Sequence, residues 1–259
     1  MTEVDWSRLK AQELRARAER NAVVILPVAS IEQHGPHLPV MTDTRLGHEI
    51  ALRAARIAYP TRPTVVAPVV WSGLSEHHMA FGGTLSVSAD TFRALLVDLI
   101  ECLIRLGFHD ILISNSHGGN INTMKATIDE IAPGLPATLV GTTYVDEAGA
   151  EIGGLLEDQT GISHACEAET SMMLAIEAAL VDTGDLAALG QGNDGNITGT
   201  GIASHRWRPM QDRTPTGVTG NPTRATAEKG AALLDAAASG IARLIVDPQT
   251  WAPLEDRRL

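Results

Sequence analysis

The 259-residue chain carries 31 acidic side chains against 20 Lys and Arg, a formal net charge of −11, with 44% hydrophobic and 20% charged residues. Such a charge repels a phosphate backbone, and the basic residues are scattered, so nucleic acid is not an expected partner. The rest is globular usage with enough apolar material for a substantial core, and residues 1–259 are read as one domain.

No segment approaches the roughly 18 consecutive apolar residues of a membrane helix, and residues 1–10 lack an apolar leader, so a cytoplasmic protein without a membrane partner is expected. Cys102 and Cys166, the two cysteines, are too few for a disulfide framework. Cys102 lies in an apolar helical stretch and is expected in the core.

In chain order, short aliphatic runs at 22–26, 64–70, 110–114 and 137–141 predict strands buried on both faces. Between and after them, helical periodicity covers a segment from Asp43 or Thr44 to residue 58, and then 89–106, 121–131, 167–179 and 223–246. Ser88 is the expected N-cap of the second helix and Gly107 its stop. This alternation is that of βαβ units around a largely parallel sheet, an α/β fold. The Gly-rich stretch 190–220 reads as a long loop. In such sheets ligands bind beyond the carboxyl ends of the strands, so chemistry is sought just after each run.

The first polar constellation, Ser30-Ile31-Glu32-Gln33-His34-Gly35-Pro36-His37-Leu38-Pro39, follows the first strand. Two-residue spacing puts Glu32 and His34 on one face of an extended segment, a carboxylate and an imidazole suited to one Zn²⁺ or Mn²⁺ centre. Asp43 follows at the start of a helix. An N-cap would explain it alone, unless Thr42 or Thr44 caps and leaves the carboxylate free to bridge two ions. After the third strand comes Asn115-Ser116-His117-Gly118-Gly119-Asn120, which aims a His at the crevice and lets backbone N–H groups of Gly118 and Gly119 approach a ligand.

The next constellation, His164-Ala165-Cys166-Glu167-Ala168-Glu169-Thr170-Ser171, opens an apolar helix. Acids at its first turn are tolerable if they face a cation. Glu167 reads as a solvated first-turn acid, Glu169 as the functional one, and Cys166 as a space-filler, since nearby acids oppose a thiolate. Between Gly73 and Thr84, Ser75 and His78 are the expected substrate contacts. His37, His48, His77, His109 and His205 read as polar or supporting residues.

These motifs resemble the creatininase family. Its pattern of Glu-x-His-Gly-x-His-Leu-Pro, a following Asp, Asn-x-His-Gly-Gly-Asn and His-Ala-x-x-x-Glu-Thr-Ser is matched by Glu32 to Pro39, Asp43, Asn115 to Asn120 and His164 to Ser171, and the stretch from Thr216 to Gly230 is similar to its C-terminal region. The resemblance implies a three-layer α/β/α sandwich with a largely parallel, mixed sheet, a homohexamer, and two divalent ions per subunit, Zn²⁺ and/or Mn²⁺ with Fe²⁺ as a further candidate. It also implies that Glu32 and His117 bind one ion, His34 the other, and Asp43 both. Creatininase proper completes the second ion with a Glu where this chain has Gly119, and Glu169 is assigned to that place, with Glu167 as the competing acid. The family's Trp shortly before the counterpart of His164 is missing, and its Gly after His-Ala is Cys166, so creatinine itself is not the expected substrate.

The function so implied is hydrolysis of a small amide C–N bond, in a lactam or similar ring, by a hydroxide activated by two metals. His164 and Glu169 are the catalytic candidates, with His164 as the proton donor, and Ser75, His78, Gly118, Gly119 and Asn120 the substrate contacts. Two alternatives stand beside it: a metallopeptidase acting on a small modified peptide, and a non-catalytic small-molecule binder that has lost one ion.

Overall fold

In the computed structural model, which describes residues 2–159, 161–189, 206–255 and 258, the sheet is built from runs too rich in β-branched residues to prefer helix. The strands are β1 (Val23–Val28), β2 (Thr64–Val66), β3 (Asp110–Asn115) and β4 (Thr138–Thr143). They lie in the order β2-β1-β3-β4, every pair parallel, with Val23 opposite both Thr64 and Asp110, and Asp110 opposite Thr138. Parallel neighbours require crossovers, and helices supply them.

The period of two along each strand sorts side chains into two cores. Val23, Ile25 and Leu112 face α2 (Thr42–Ala58), α7 (Glu167–Glu177) and α8 (Ala227–Val246), where Leu46, Ile50, Met172, Leu234 and Ile241 are buried. Val24, Leu26, Ile111 and Ile113 face the other way, against Phe92, Leu96 and Ile100 of α3 (Ala89–Arg105) and Met124 of α4 (Ile121–Ile131). Helices cover both faces, which gives the α/β/α sandwich. No helix among the described residues is long and apolar enough to cross a membrane.

Several boundaries differ from expectation for identifiable reasons. The run at 64–70 stops pairing at Val66 because Pro68 has no N–H for a ladder, and Val70 keeps only an isolated bridge to Val28. The last helix starts at Ala227 rather than 223, since Pro222 directs a separate 3-10 turn (Pro222–Arg224) and Thr226 accepts from Lys229 N as the N-cap. Ser88 caps α3 as expected, accepting from Thr91 N, and Gly107 at φ 92° turns the chain out of it. Three helices were not expected: α1 (Ala11–Glu19), which is mostly charged, and the short α5 (Tyr144–Glu147) and α6 (Gly149–Leu155). Cys102 is exposed on α3, contrary to its expected core position. The glycine-rich stretch and His205 lie outside the described residues up to Arg206.

Val28, Asn115 and Thr143 sit side by side in register at the ends of their strands. The segments leaving β1 and β3 therefore start next to each other, and the Glu32 and His117 motifs emerge into one space.

Candidate metal centre

Five side chains expected from three distant motifs meet in that space. Asp43 divides its carboxylate: Oδ1 lies 3.2 Å from His34 Nε2, and Oδ2 lies 3.2 Å from His117 Nδ1. On one side Glu32 Oε2 joins, 3.0 Å from His117 Nδ1; on the other Glu169 Oε2 lies 3.8 Å from His34 Nε2. Glu32, Asp43 and His117 thus form one trio and His34, Asp43 and Glu169 a second, each with donor atoms within 4.8 Å of one another and all of them buried. Glu167 does not compete. Fully buried rather than solvated, it accepts from the N–H groups of Glu157 and Asp158 and from Lys229 Nζ, away from the cluster.

Local structure explains how Asp43 and Glu169 come free. Helix α2 begins at Thr42 with Met41 as its N-cap and no side-chain cap. Neither threonine caps it, because Thr42 donates to Pro39 O and Thr44 to Ser30 O. Asp43 therefore sits in the first turn with no capping duty, where the helix dipole favours its charge. Glu169 also lies in the first turn of its helix, α7, and is fixed by the N–H of Ala165 at 2.6 Å. Ala165 adopts φ 55°, a left-handed conformation that costs an alanine roughly 1–2 kcal/mol. That bend turns the chain between His164 and α7 so that both motif ends face the same centre.

The imidazoles share one design. His34 donates from Nδ1 to Glu32 O, His117 from Nε2 to Leu74 O, and His164 from Nε2 to Gln33 O at 2.7 Å. Since each carbonyl can only accept, the outer nitrogen carries the proton and the inner one turns a lone pair onto carboxylates. Lone pairs facing carboxylate oxygens repel unless a proton or a cation stands between them, and this outer-carbonyl arrangement is the one metal-binding histidines use. His34 Nε2 and Asp43 Oδ2 are buried without an aligned hydrogen-bond partner. The donor set of three carboxylates and two imidazoles fits a divalent ion such as Zn²⁺ or Mn²⁺.

Protonation follows the same electrostatics. Burial alone would discharge His34, but Asp43, Glu169 and Glu32 outweigh it and raise its pKa to about 10. His117 is likewise held well above its ordinary value against burial, by Glu32 and Asp43. Glu32 stays well below the usual carboxylate range, since His117 and His78 overcome its burial. Glu169 differs: burial lifts it to about 7 despite the pull of His34. Burial and the charge on His34 lower His164 to about 3, leaving it a neutral imidazole.

The expected substrate contacts have other occupations. Ser75 is fully buried and donates to Glu32 Oε2 at 2.7 Å, with Ser30 Oγ and His117 Nε2 also in reach, so it orients the acid from behind. Asn120 is equally buried and bonds backbone at both ends of its amide, accepting from Leu74 N and donating to Ala29 O. Gly119 has a steric reason to be glycine, because a Cβ there would strike the Leu74 carbonyl and the His117 ring. Gly118 is exposed, with nothing near the place of a Cβ. His78 is buried and its Nε2 lies 3.3 Å from Glu32 Oε1.

Sequence reasoning passed over Gln33. Its Oε1 accepts from Gly35 N and its Nε2 donates to Gly217 O, which fixes the amide's orientation. The same Nε2 lies 2.7 Å from His78 Nδ1, so that nitrogen accepts and His78 carries its proton on Nε2, toward Glu32. Its place between Glu32 and His34 in the motif was the available signal, since Gln33 reaches His78, which also approaches Glu32.

Comparison with known proteins identifies the family. The family model for creatinine amidohydrolase matches residues 7–245. The chain is 32% identical over 246 residues to the mycofactocin precursor peptide peptidase of Mycobacterium ulcerans (strain Agy99), covering 91% of this chain and 88% of that one. It is 28% identical to the 3-dehydro-scyllo-inosose hydrolase of Thermotoga maritima, covering 95% and 84% respectively. Creatininase in its Mn form superposes with a TM-score of 0.77 at 26% identity, covering 97% of this chain and all of the other. With matched motifs, fold and nearly the whole length in agreement, this chain belongs to the creatininase family of hydrolases.

Proposed function

We propose that this protein is a metal-dependent amidohydrolase that cleaves an amide C–N bond of a small substrate with two divalent cations. Glu32, Asp43 and His117 would hold one cation, and His34, Asp43 and Glu169 the other. The observation that carries this reading is the shared aspartate: each Asp43 oxygen addresses an imidazole whose proton is already committed to a backbone carbonyl. Glu169 supports it by standing beside His34, where the family's own Glu is replaced by Gly119.

Bound there, the cations would lower the pKa of water and polarise the substrate carbonyl. The chain's own groups do the rest. His164, neutral and with its Nε2 proton on Gln33 O, presents Nδ1 to the centre 3.5 Å from Glu32. It therefore starts the cycle as a proton acceptor and then becomes the donor to the leaving nitrogen. Its side chain is 14% exposed against 0% for His34, which suits a group that meets the substrate. The N–H groups of Gly118 and Gly119 are the candidate partners for charge developing on the carbonyl oxygen.

A peptide amide is the second reading for the same machinery, favoured by the 32% identity to a precursor peptide peptidase. One experiment addresses both: the Zn²⁺- or Mn²⁺-loaded protein is offered a set of ring amides and a set of short peptides while its metal content is measured. About two ions per chain with turnover of either set supports hydrolysis. One ion or none, with no turnover, returns the protein to the class of binders.

A further inference from the structure

We propose that His37 is a positioning residue for the second cation seat: its hydrogen bond to Thr170 braces the turn that carries His34 against the first turn of α7, which carries Glu169. The inference deepens the two-cation reading above and rests on it.

His34 and Glu169 belong to segments far apart in the chain, and at 3.8 Å their facing atoms are too distant to fix each other by a hydrogen bond. A cation seat needs its donors held within about 0.5 Å of the productive geometry, so something else must set that gap. The chain after β1 turns back on itself at Gly35, with φ 65°, and His34 and Leu38 form an antiparallel bridge across the turn. His37 lies inside that turn. Its Nε2 stands 2.9 Å from Thr170 Oγ1, and its carbonyl accepts from the N–H of Asp182, beyond the same helix, at 2.9 Å. Both side chains are buried, His37 at 2% exposure and Thr170 at 0%. Thr170 directly follows Glu169 and His37 comes three residues after His34, so the bond closes a short circuit of chain around the gap between the two.

The direction of the bond follows from the other ring nitrogen. Nδ1 of His37 is buried without a hydrogen-bond partner among the described residues and faces the turn, where a Cβ on Gly35 would stand 3.1 Å from it. Buried N–H groups without an acceptor are rare, so Nδ1 is the bare nitrogen and Nε2 carries the proton that Thr170 Oγ1 accepts. The brace acts on one seat alone. The trio of Glu32, Asp43 and His117 draws no residue from α7, whereas the trio of His34, Asp43 and Glu169 takes one from each side of the bond.

The test is a calorimetric titration of the chelator-stripped protein with Zn²⁺, in which Glu169→Gln identifies the binding step that belongs to the second cation. The wild type should show two steps. His37→Leu and Thr170→Val remove the donor and the acceptor, and each should weaken the second step about 10- to 100-fold while leaving the first unchanged. His37→Gln, whose amide nitrogen can stand near the place of Nε2, and Thr170→Ser should restore most of that affinity. The double variant should lose no more than either single change, because both act through one bond. A merely structural His37 would lower the melting temperature of the stripped protein and weaken both steps together or neither. The proposal is overturned if the second step survives unchanged in both the Leu and Val variants, if the two steps weaken together, or if the Gln and Ser variants behave like Leu and Val. A wild type with fewer than two steps would sink the two-cation reading and the brace with it. Two steps in the wild type and the same two in the variants would sink the brace alone.

Discussion

Glu169 Oε2 stands 3.8 Å from Nε2 of His34, so a carboxylate from the first turn of α7 meets an imidazole from the loop after β1. Glu169→Gln should reduce the metal content from about two ions per chain to about one, read by elemental analysis. Activity should fall by more than the roughly 10- to 100-fold of an outer-shell change. Full retention of both ions would remove Glu169 from the ligand set.

The same residue predicts a pH effect on the chelated protein. Its folded pKa of about 7 lies above the ordinary value of 4.5. The folded state therefore binds the extra proton, and the associated stability is present below about pH 4.5 and lost as pH rises through 7. Denaturant titrations between those values should show wild type losing stability relative to Glu169→Gln. A difference that stays flat across the range would refute the assignment.

His34 and His164 separate binding from chemistry. His34→Ala removes a fully buried imidazole and should abolish turnover and metal retention together. His164→Ala should retain the metals and lose about 10²- to 10⁴-fold in kcat, the usual contribution of an acid–base group. Loss of both ions in the His164 variant would make it a ligand, an arrangement its place beside Glu32 and His34 also permits.

Gln33 fixes the tautomer of His78 without reaching the trios. Gln33→Leu should keep the metals and reduce kcat by about 10- to 100-fold, with little change in KM. Equal losses in metal content and kcat would instead indicate collapse of the loop that carries Glu32 and His34.

Lys229 and Glu167 form a buried ion pair joining α8 to α7. Lys229→Met leaves Glu167 uncompensated at 0% exposure, which should cost about 3 kcal/mol and lower Tm by roughly 6–12 °C. Unchanged melting in calorimetry would show that the pair is dispensable.

Alkylation should separate the cysteines. Burial, reinforced by Glu169, pushes the Cys166 thiol up to about 12, while Cys102 is exposed. Iodoacetamide at neutral pH should label native protein at Cys102 alone, and mass spectrometry finding Cys166 labelled equally would contradict its inert role.

The sequence by itself determined the layers and the residue types of the candidate site. Strand runs buried on both faces, helices between them and polar motifs directly after β1 and β3 are local patterns of period, composition and order, and the family resemblance is carried by the same residues. Tertiary structure decided what local pattern cannot hold. Whether Glu167 or Glu169 turns to the cluster depends on Lys229, far along the chain, and on a left-handed Ala165. Which groups Ser75 and Asn120 hydrogen-bond depends on which carbonyls and carboxylates surround them after folding. Hydrogen-bond partners are properties of neighbours in space. Two residues of the same type at similar positions in a motif differ only once the fold has chosen those neighbours.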